Sequence, residues 1–423
     1  MTRILLTGSG AICGSGTDAG SIVEALLAGR SSVAPIAGFD AEQFRGCLAA
    51  EVPEYNGGKL LGDRKLLKLV RRSDVFGIYA GTQALEQAGL SAWRETLDDT
   101  AAAHYADQTG CYVGSGGGAF EVNYDFFPLM SETKNDLSEF GREVSNMVNP
   151  MWLLKSLPNN VLCHMSIRNQ LKGPNGCITN HTASGMLSII ESAWALREGD
   201  AERVLAVGHD APIEPQTLLY LDRVGLIGKD HLRPFDQRHD GCLLGEGAAS
   251  LMLETEASAF ARGATVLGEY LGGGDASEGE GLFCIRSDGD GLSRAIELAL
   301  ADAQLKPTDV GMIVAHGNGT QESDASEAAA LLRVFGATMP PVTGFKWSVG
   351  HLFAASGILD AVLGLEACRR KVVPGIATLE TLADSCAGLN VSQQTRASRG
   401  DVVLVLCRGF AGTNTALLLR AIA

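Results

Sequence analysis

Apolar residues recur along this chain at two spacings, which separate strands from helices. Short apolar runs stopped by glycine, such as Ile4-Leu5-Leu6-Thr7 before Gly8 and Arg203-Val204-Leu205-Ala206-Val207-Gly208, read as buried strands. Further strands are expected at residues 111–113, 249–254, 310–315 and 415–419. The first of these enters a glycine turn, Gly114-Ser115-Gly116-Gly117-Gly118. Recurrence at three and four residues predicts a helix over 186–196, and further helices are expected near 19–27, 75–90 (ending at Gly89), 291–303, 323–335 and 354–367. Strands alternating with helices place the chain in the α/β class. Its second half repeats the helix, strand, turn, helix sequence of the first.

One stretch carries more than pattern. Gly173-Pro174-Asn175-Gly176-Cys177-Ile178-Thr179-Asn180-His181-Thr182-Ala183-Ser184-Gly185 passes from turn residues through a short apolar piece into the helix at 186–196. A strand that turns sharply into a helix holds one side chain over the helix N-terminus. Free backbone N–H groups and the positive dipole end there favour a developing negative charge. Such an elbow is a way to present a nucleophile. The residue at this one is Thr182.

Two histidines follow in glycine-rich turns after apolar segments: His316 in Val314-Ala315-His316-Gly317-Asn318-Gly319-Thr320, and His351 in Lys346-Trp347-Ser348-Val349-Gly350-His351-Leu352. A lone histidine is more often structural, but two in matching contexts suggest a pair. Lys65, Lys68, Arg71 and Arg72 form a basic helix surface, read either as a solvated face or as a docking patch for an acidic partner. Gly8-Ser9-Gly10 comes near a dinucleotide fingerprint, but Gly14 falls one residue late and no acidic residue follows at the required distance.

Composition narrows the class. A chain of 423 residues, 46% hydrophobic and 20% charged with 52 glycines, can bury one large core or two fused ones. A net charge of −15 argues against non-specific binding of nucleic acid or anionic membranes. The opening Ile4-Leu5-Leu6 run is too short for a signal segment, and no apolar run reaches the length of a membrane span. The ten cysteines show no Cys-x-x-Cys spacing, so no metal site is expected and a reducing, cytoplasmic setting is.

The elbow resembles the active-site segment of the elongating β-ketoacyl-ACP synthases, condensing enzymes of fatty-acid and polyketide assembly. Laid over the chain without a gap, the family's cysteine falls on Thr182 and the small residue before it on His181. Arg233-Pro234-Phe235-Asp236 and Asp240-Gly241-Cys242-Leu243-Leu244-Gly245-Glu246-Gly247 follow the family's Arg-Pro-Phe-Asp and Asp-Gly-x-x-x-Gly-Glu-Gly signatures. Gly409-Phe410-Ala411-Gly412-Thr413-Asn414 is similar to its closing Gly-Phe-Gly-Gly-Thr-Asn loop, with alanine replacing one glycine.

The resemblance implies a thiolase fold, five layers α-β-α-β-α around two mixed sheets, built from an N-terminal half (1–255) holding the elbow and a C-terminal half (256–423) holding the histidine loops. It implies that His316 and His351 stabilise an enolate, that Lys346 pairs with Glu327 near them, and that Phe410 gates the site with Gly409 and Gly412. Asn318, where the family commonly has threonine, and Thr320 would meet the phosphopantetheine arm. Residues 150–167, with Met151 and Trp152, would lie at a dimer interface and line an acyl tunnel. Lys65, Lys68, Arg71 and Arg72 would dock acyl carrier protein.

A threonine hydroxyl stays protonated where the family's cysteine is a thiolate. The resemblance therefore implies a non-condensing subunit of chain-length-factor type, paired with an active ketosynthase (or with itself) and retaining malonyl-ACP decarboxylation. No cofactor of its own is implied, since substrates ride on the carrier's phosphopantetheine. The alternatives are an acyltransferase or thioesterase using Thr182 with His181 as base, or a synthase inactivated at its cysteine. Adjacent residues leaving a strand point apart, which weighs against the His181–Thr182 pairing.

Overall fold

The computed structural model describes residues 2–45, 47–116, 124 and 126–422. The expected glycine turn after residue 113 is described only to Gly116, and Gly117 and Gly118 lie outside the described residues. Five strands come from the first part of the chain: β1 (Ile4–Cys13), β2 (Thr109–Ser115), β3 (Asn175–Ile178), β4 (Arg203–Asp210) and β5 (Gly247–Thr255). Five more follow: β6 (Gly268–Ser277), β7 (Met312–Val314), β8 (Val342–Thr343), β9 (Val402–Gly409) and β10 (Thr413–Ala421).

All ten join one sheet in the order β8-β7-β9-β10-β6-β1-β5-β4-β2-β3. Reading outward from the centre, each half has its first strand inside and its third at the edge. Directions repeat as well, since β2 is parallel to β3 and β4, and β7 is parallel to β8 and β9. The antiparallel neighbours are β4–β5 and β5–β1 in one half, β9–β10 and β10–β6 in the other. The two sheets implied by the resemblance are thus joined into one, through a short antiparallel pairing of Ile4–Leu6 with Gly268–Tyr270.

Five helices matter for the site: α1 (Arg72–Gln87), α2 (Ser184–Glu198), α3 (Asp290–Asp302), α4 (Gln321–Phe335) and α5 (Ser356–Arg369). α2 packs on β4 and β2 yet also reaches β10 and β6, while α5 packs on β9 and β10 yet also reaches β5 and β4. These two form the middle layer. α1 covers the outside of the first half, and α3 with α4 covers the second. Sequence explains the placement: Gly357-Ile358-Leu359-Asp360-Ala361-Val362-Leu363-Gly364-Leu365 is apolar nearly all round, as a helix between two sheets must be. Its one carboxylate there, Asp360, is buried and ion-paired.

The middle helices meet at glycine. A Cβ on Gly185 would stand 2.4 Å from the Ala354 carbonyl oxygen, so only glycine lets the start of α2 approach the start of α5. That contact brings the two helix N-termini, and the loops feeding them, to one place.

Candidate active site

The elbow is a 3₁₀ turn, His181–Ala183, leading directly into α2. Ser184 closes it: its hydroxyl donates to the His181 carbonyl at 2.7 Å and accepts the Asn180 N–H at 2.7 Å. His181 takes φ +45°, a left-handed conformation costly for a bulky side chain and held here by the turn around it. Thr182 is buried at the floor of a cavity of about 430 Å³, which His316, His351, Phe353, Phe410, Asn318, Thr320 and Arg408 also line.

The left-handed turn overrides the alternation that sends neighbouring strand residues to opposite sides. His181 Nδ1 lies 3.0 Å from Thr182 Oγ1, correcting the expectation that the two point apart. Burial lowers the imidazole's pKa to about 4, so His181 is neutral at neutral pH. Its ring packs between Phe353, at 4.5 Å between centroids, and Phe410, at 4.7 Å.

His316 and His351 come together as expected, with ring centroids 5.3 Å apart. Each Nδ1 accepts a backbone N–H: that of Arg408 at 3.3 Å for His316, that of Phe353 at 3.1 Å for His351. An acceptor at Nδ1 fixes the tautomer, so each ring carries its hydrogen on Nε2 and offers it to the cavity. Burial lowers both pKa values well below the ordinary histidine range, and the Lys346 ammonium lowers them further. Two neutral donors on one wall suit an oxygen that gains negative charge.

The expected Lys346–Glu327 pair is not what forms. Lys346 Nζ bonds Asp360 Oδ2 at 2.7 Å, both groups buried. Glu327 instead accepts the backbone N–H groups of His316, at 2.7 Å, and Gly317, at 2.9 Å. The reason is positional: Glu327 on α4 faces the turn that carries His316, whereas Asp360 on α5 projects from the helix His351 precedes. Desolvation raises the Glu327 carboxyl to about 7 despite those two donors. Glu327 thus shapes the His316 loop, and Asp360 anchors the lysine.

Asn318 and Thr320 line the cavity and bond each other, Asn318 Oδ1 accepting from the Thr320 hydroxyl at 2.9 Å and its N–H at 3.0 Å. The Phe410 loop crosses Thr182, with Gly412 at φ +65°. Ala411 takes φ +60° although it is not glycine, a left-handed conformation that its Cβ makes costly. Phe410 is backed by Phe283, at 5.5 Å, which packs in turn on Tyr220. Met151 and Trp152 do not line the cavity; Trp152 packs edge-on against Phe126 at 5.0 Å.

The basic face is half of what its sequence suggests. Lys65 and Lys68 are exposed. Arg71 is buried in an ion pair with Asp74, and Arg72 is bound to Glu246 while stacking over Tyr55 and Phe76. Both arginines sit at the start of α1 and are ion-paired within the chain, Arg71 buried and Arg72 part-exposed.

Sequence reasoning missed Asp360, Phe353 and Arg408. A signal for Phe353 was present: His181-Thr182-Ala183-Ser184-Gly185 and Phe353-Ala354-Ala355-Ser356-Gly357 are the same motif in the two halves. The structure repeats it closely. Phe353 has φ +44°, a 3₁₀ turn spans Phe353–Ala355, and Ser356 accepts the Leu352 N–H at 2.9 Å as Ser184 accepts that of Asn180. Arg408, buried beside His316, bonds Glu278 at 2.9 Å and Asn414 at 2.9 Å, contacts no local pattern foretells.

Comparison with known proteins agrees with this geometry. Residues 1–259 match the family described as "Beta-ketoacyl synthase, N-terminal domain" and residues 267–380 its C-terminal domain. The chain is 30% identical over 434 residues to a 3-oxoacyl-[acyl-carrier-protein] synthase 2 of Coxiella burnetii, covering 99% of each. Among solved structures, a β-ketoacyl synthase from Burkholderia phymatum superposes with a TM-score of 0.88 at 28% identity, covering 100% of both chains. The ishigamide ketosynthase/chain length factor does so with 0.87 at 27%, again over 100% of both. In sequence and in fold, this chain belongs to the β-ketoacyl synthase family.

Proposed function

We propose that this chain is a non-condensing ketosynthase-like subunit that decarboxylates a malonyl thioester and pairs with a cysteine-bearing ketosynthase. One observation carries the reading: the elbow presents a hydroxyl bonded to a neutral imidazole, while His316 and His351 keep both Nε2–H donors on the cavity. In the reaction, the malonyl Cα–carboxylate bond breaks, carbon dioxide leaves, and the electron pair moves into the thioester as an enolate. The two Nε2–H groups stabilise its oxygen. A proton from solvent water then adds to Cα and the product is an acetyl thioester. The substrate would arrive on the phosphopantetheine of acyl carrier protein, past Asn318 and Thr320, with Lys65 and Lys68 as exposed charges for that acidic partner.

Subunit pairing is supported by exposed apolar side chains. Among the described residues, Leu137 (82% exposed), Ile167 (74%), Phe127, Met130, Leu153 and Leu154 are exposed between residues 126 and 167, and β3, which follows in sequence, is an edge strand of the sheet. Exposed apolar side chains and strand edges are features of interfaces.

A second reading draws on the His181–Thr182 contact: Thr182 as acyl-accepting nucleophile with His181 as base. The distance suits it, but a base with a pKa of about 4 draws a proton from a hydroxyl poorly at neutral pH. Co-expression with a cysteine-bearing ketosynthase from the same genome separates the two. A stable one-to-one complex that elongates, beside an isolated chain that only decarboxylates, supports the first. An isolated chain that transfers acyl groups supports the second.

A further inference from the structure

We infer that the first half of the chain carries a second binding site, separate from the cavity at the elbow, where Arg94, Arg168 and Tyr105 take a phosphate group. A cavity of about 420 Å³ lies there, and its wall includes those three side chains, Glu95, and the apolar Leu85 and Ala102. Arg94 ends the short helix Leu90–Arg94, Tyr105 lies on the helix Asp99–Asp107, and Arg168 is next to last on the helix Asn160–Asn169. None of the residues lining this cavity lines the one at the elbow. Its size falls in the range of small-molecule pockets, about 300–1,000 Å³.

Two features point to an anion. The first is uncancelled positive charge on a chain of net charge −15. Arg94 donates to the Asn169 carbonyl at 3.4 Å and to the Gln170 side-chain oxygen, and Arg168 donates to the Leu61 carbonyl at 2.6 Å. These neutral acceptors place the guanidinium groups without neutralising them. Among the described residues neither arginine forms an ion pair, and Glu95, which is exposed, pairs with neither. The second feature is Tyr105, which is 2% exposed and whose hydroxyl makes no hydrogen bond among the described residues. A buried hydroxyl left without a partner is unfavourable until something bonds it. Burial raises its pKa, so it keeps its proton and stays a donor, and the charges of Arg203 and Arg94 act on it. Two guanidinium groups and a phenol suit a phosphate, which offers three terminal oxygens and up to two charges, better than the two oxygens of a carboxylate.

The test is calorimetric titration, at constant ionic strength, of the unaltered chain, Arg94→Gln, Arg168→Gln and Tyr105→Phe with inorganic phosphate and with glycerol 3-phosphate. Saturable binding of at least one of the two is expected. Either arginine change should weaken it roughly tenfold or more, and loss of the hydroxyl about fivefold. Tighter binding of glycerol 3-phosphate marks a phosphorylated small molecule as the occupant; any other order marks free phosphate. Without ligand, Tyr105→Phe should melt no lower than the unaltered chain, since its hydroxyl has no partner to lose. A lower melting temperature for that variant, no saturable binding of either probe to the unaltered chain, or binding that survives the arginine changes overturns the site. Arg168 is exposed, so its glutamine variant decides if Arg94→Gln does not fold.

Discussion

Thr182 Oγ1 and His181 Nδ1 share a hydrogen bond at 3.0 Å, and neither atom carries charge at neutral pH. A cysteine at a helix N-terminus can lose its proton before the substrate arrives, whereas a threonine must lose it during attack. Thr182→Cys therefore restores the missing step, and the variant is expected to form an acyl-enzyme with acetyl-ACP that intact mass measurement detects as an added acetyl. The histidine pair makes a separate prediction. His316→Ala should lower malonyl decarboxylation by about 10²–10³-fold, as loss of one preorganised donor does. Because both imidazoles titrate well below their ordinary range, they stay neutral as pH falls through 6.5. The acid limb of the decarboxylation profile should accordingly fall well below that pH; a limb centred near 6.5 would mean the histidines are not held neutral. The placement of His316 and His351 was legible in the sequence because each stands in a turn beside glycine, and that of Thr182 because it lies where a short strand runs into a helix. Asp360 was not, because an acidic residue inside an apolar helix gives no sign of which lysine it faces.

Among the elements, the elbow motif appears twice, but the two copies do different work. In the first it carries Thr182; in the second Ala354 takes that place, and its N–H donates to Asp210 Oδ2 at 3.2 Å. The copies touch at Gly185, where an alanine methyl would meet the Ala354 carbonyl. Gly185→Ala should overpack that crossing and destabilise the fold by about 1–3 kcal/mol, read as a lower denaturation midpoint. Asp360→Ala leaves the Lys346 ammonium buried and unpaired, which costs about 3–5 kcal/mol. It should also perturb the decarboxylation profile, since Lys346 sits close enough to lower both histidine pKa values. Element types followed from hydrophobic spacing where a helix is amphipathic, as α3 is, and from length where a run such as Val204–Val207 is short and apolar throughout. The left-handed turn at His181 did not, because nothing in a histidine's side chain demands φ +45°. The demand comes from Ser184 and from the crossing of two helices distant in sequence.

Across the whole molecule, a duplicated sheet order encloses a middle layer whose helix starts meet at the cavity. Duplication was visible in outline, as a second half repeating the helix and strand order of the first. The pairing of Ile4–Leu6 with Gly268–Tyr270, which makes one sheet of two, was not, because register between distant strands leaves no local mark. Nor did the basic run at residues 65–72 separate exposed lysines from ion-paired arginines, since Asp74 and Glu246 reach Arg71 and Arg72 only in the folded chain. The pairing surface proposed between residues 126 and 167 predicts that the purified chain, with no partner subunit to cover it, self-associates and runs as a dimer by light scattering at micromolar concentration.

Whether a hydroxyl at the elbow ends condensation is tested most directly by incubating the isolated chain with acyl-ACP and malonyl-ACP, then recording the intact protein mass and the carrier-bound products. The account predicts an unmodified protein, acetyl-ACP formed from malonyl-ACP, and no β-ketoacyl product. An acyl group on Thr182 followed by β-ketoacyl-ACP would contradict it.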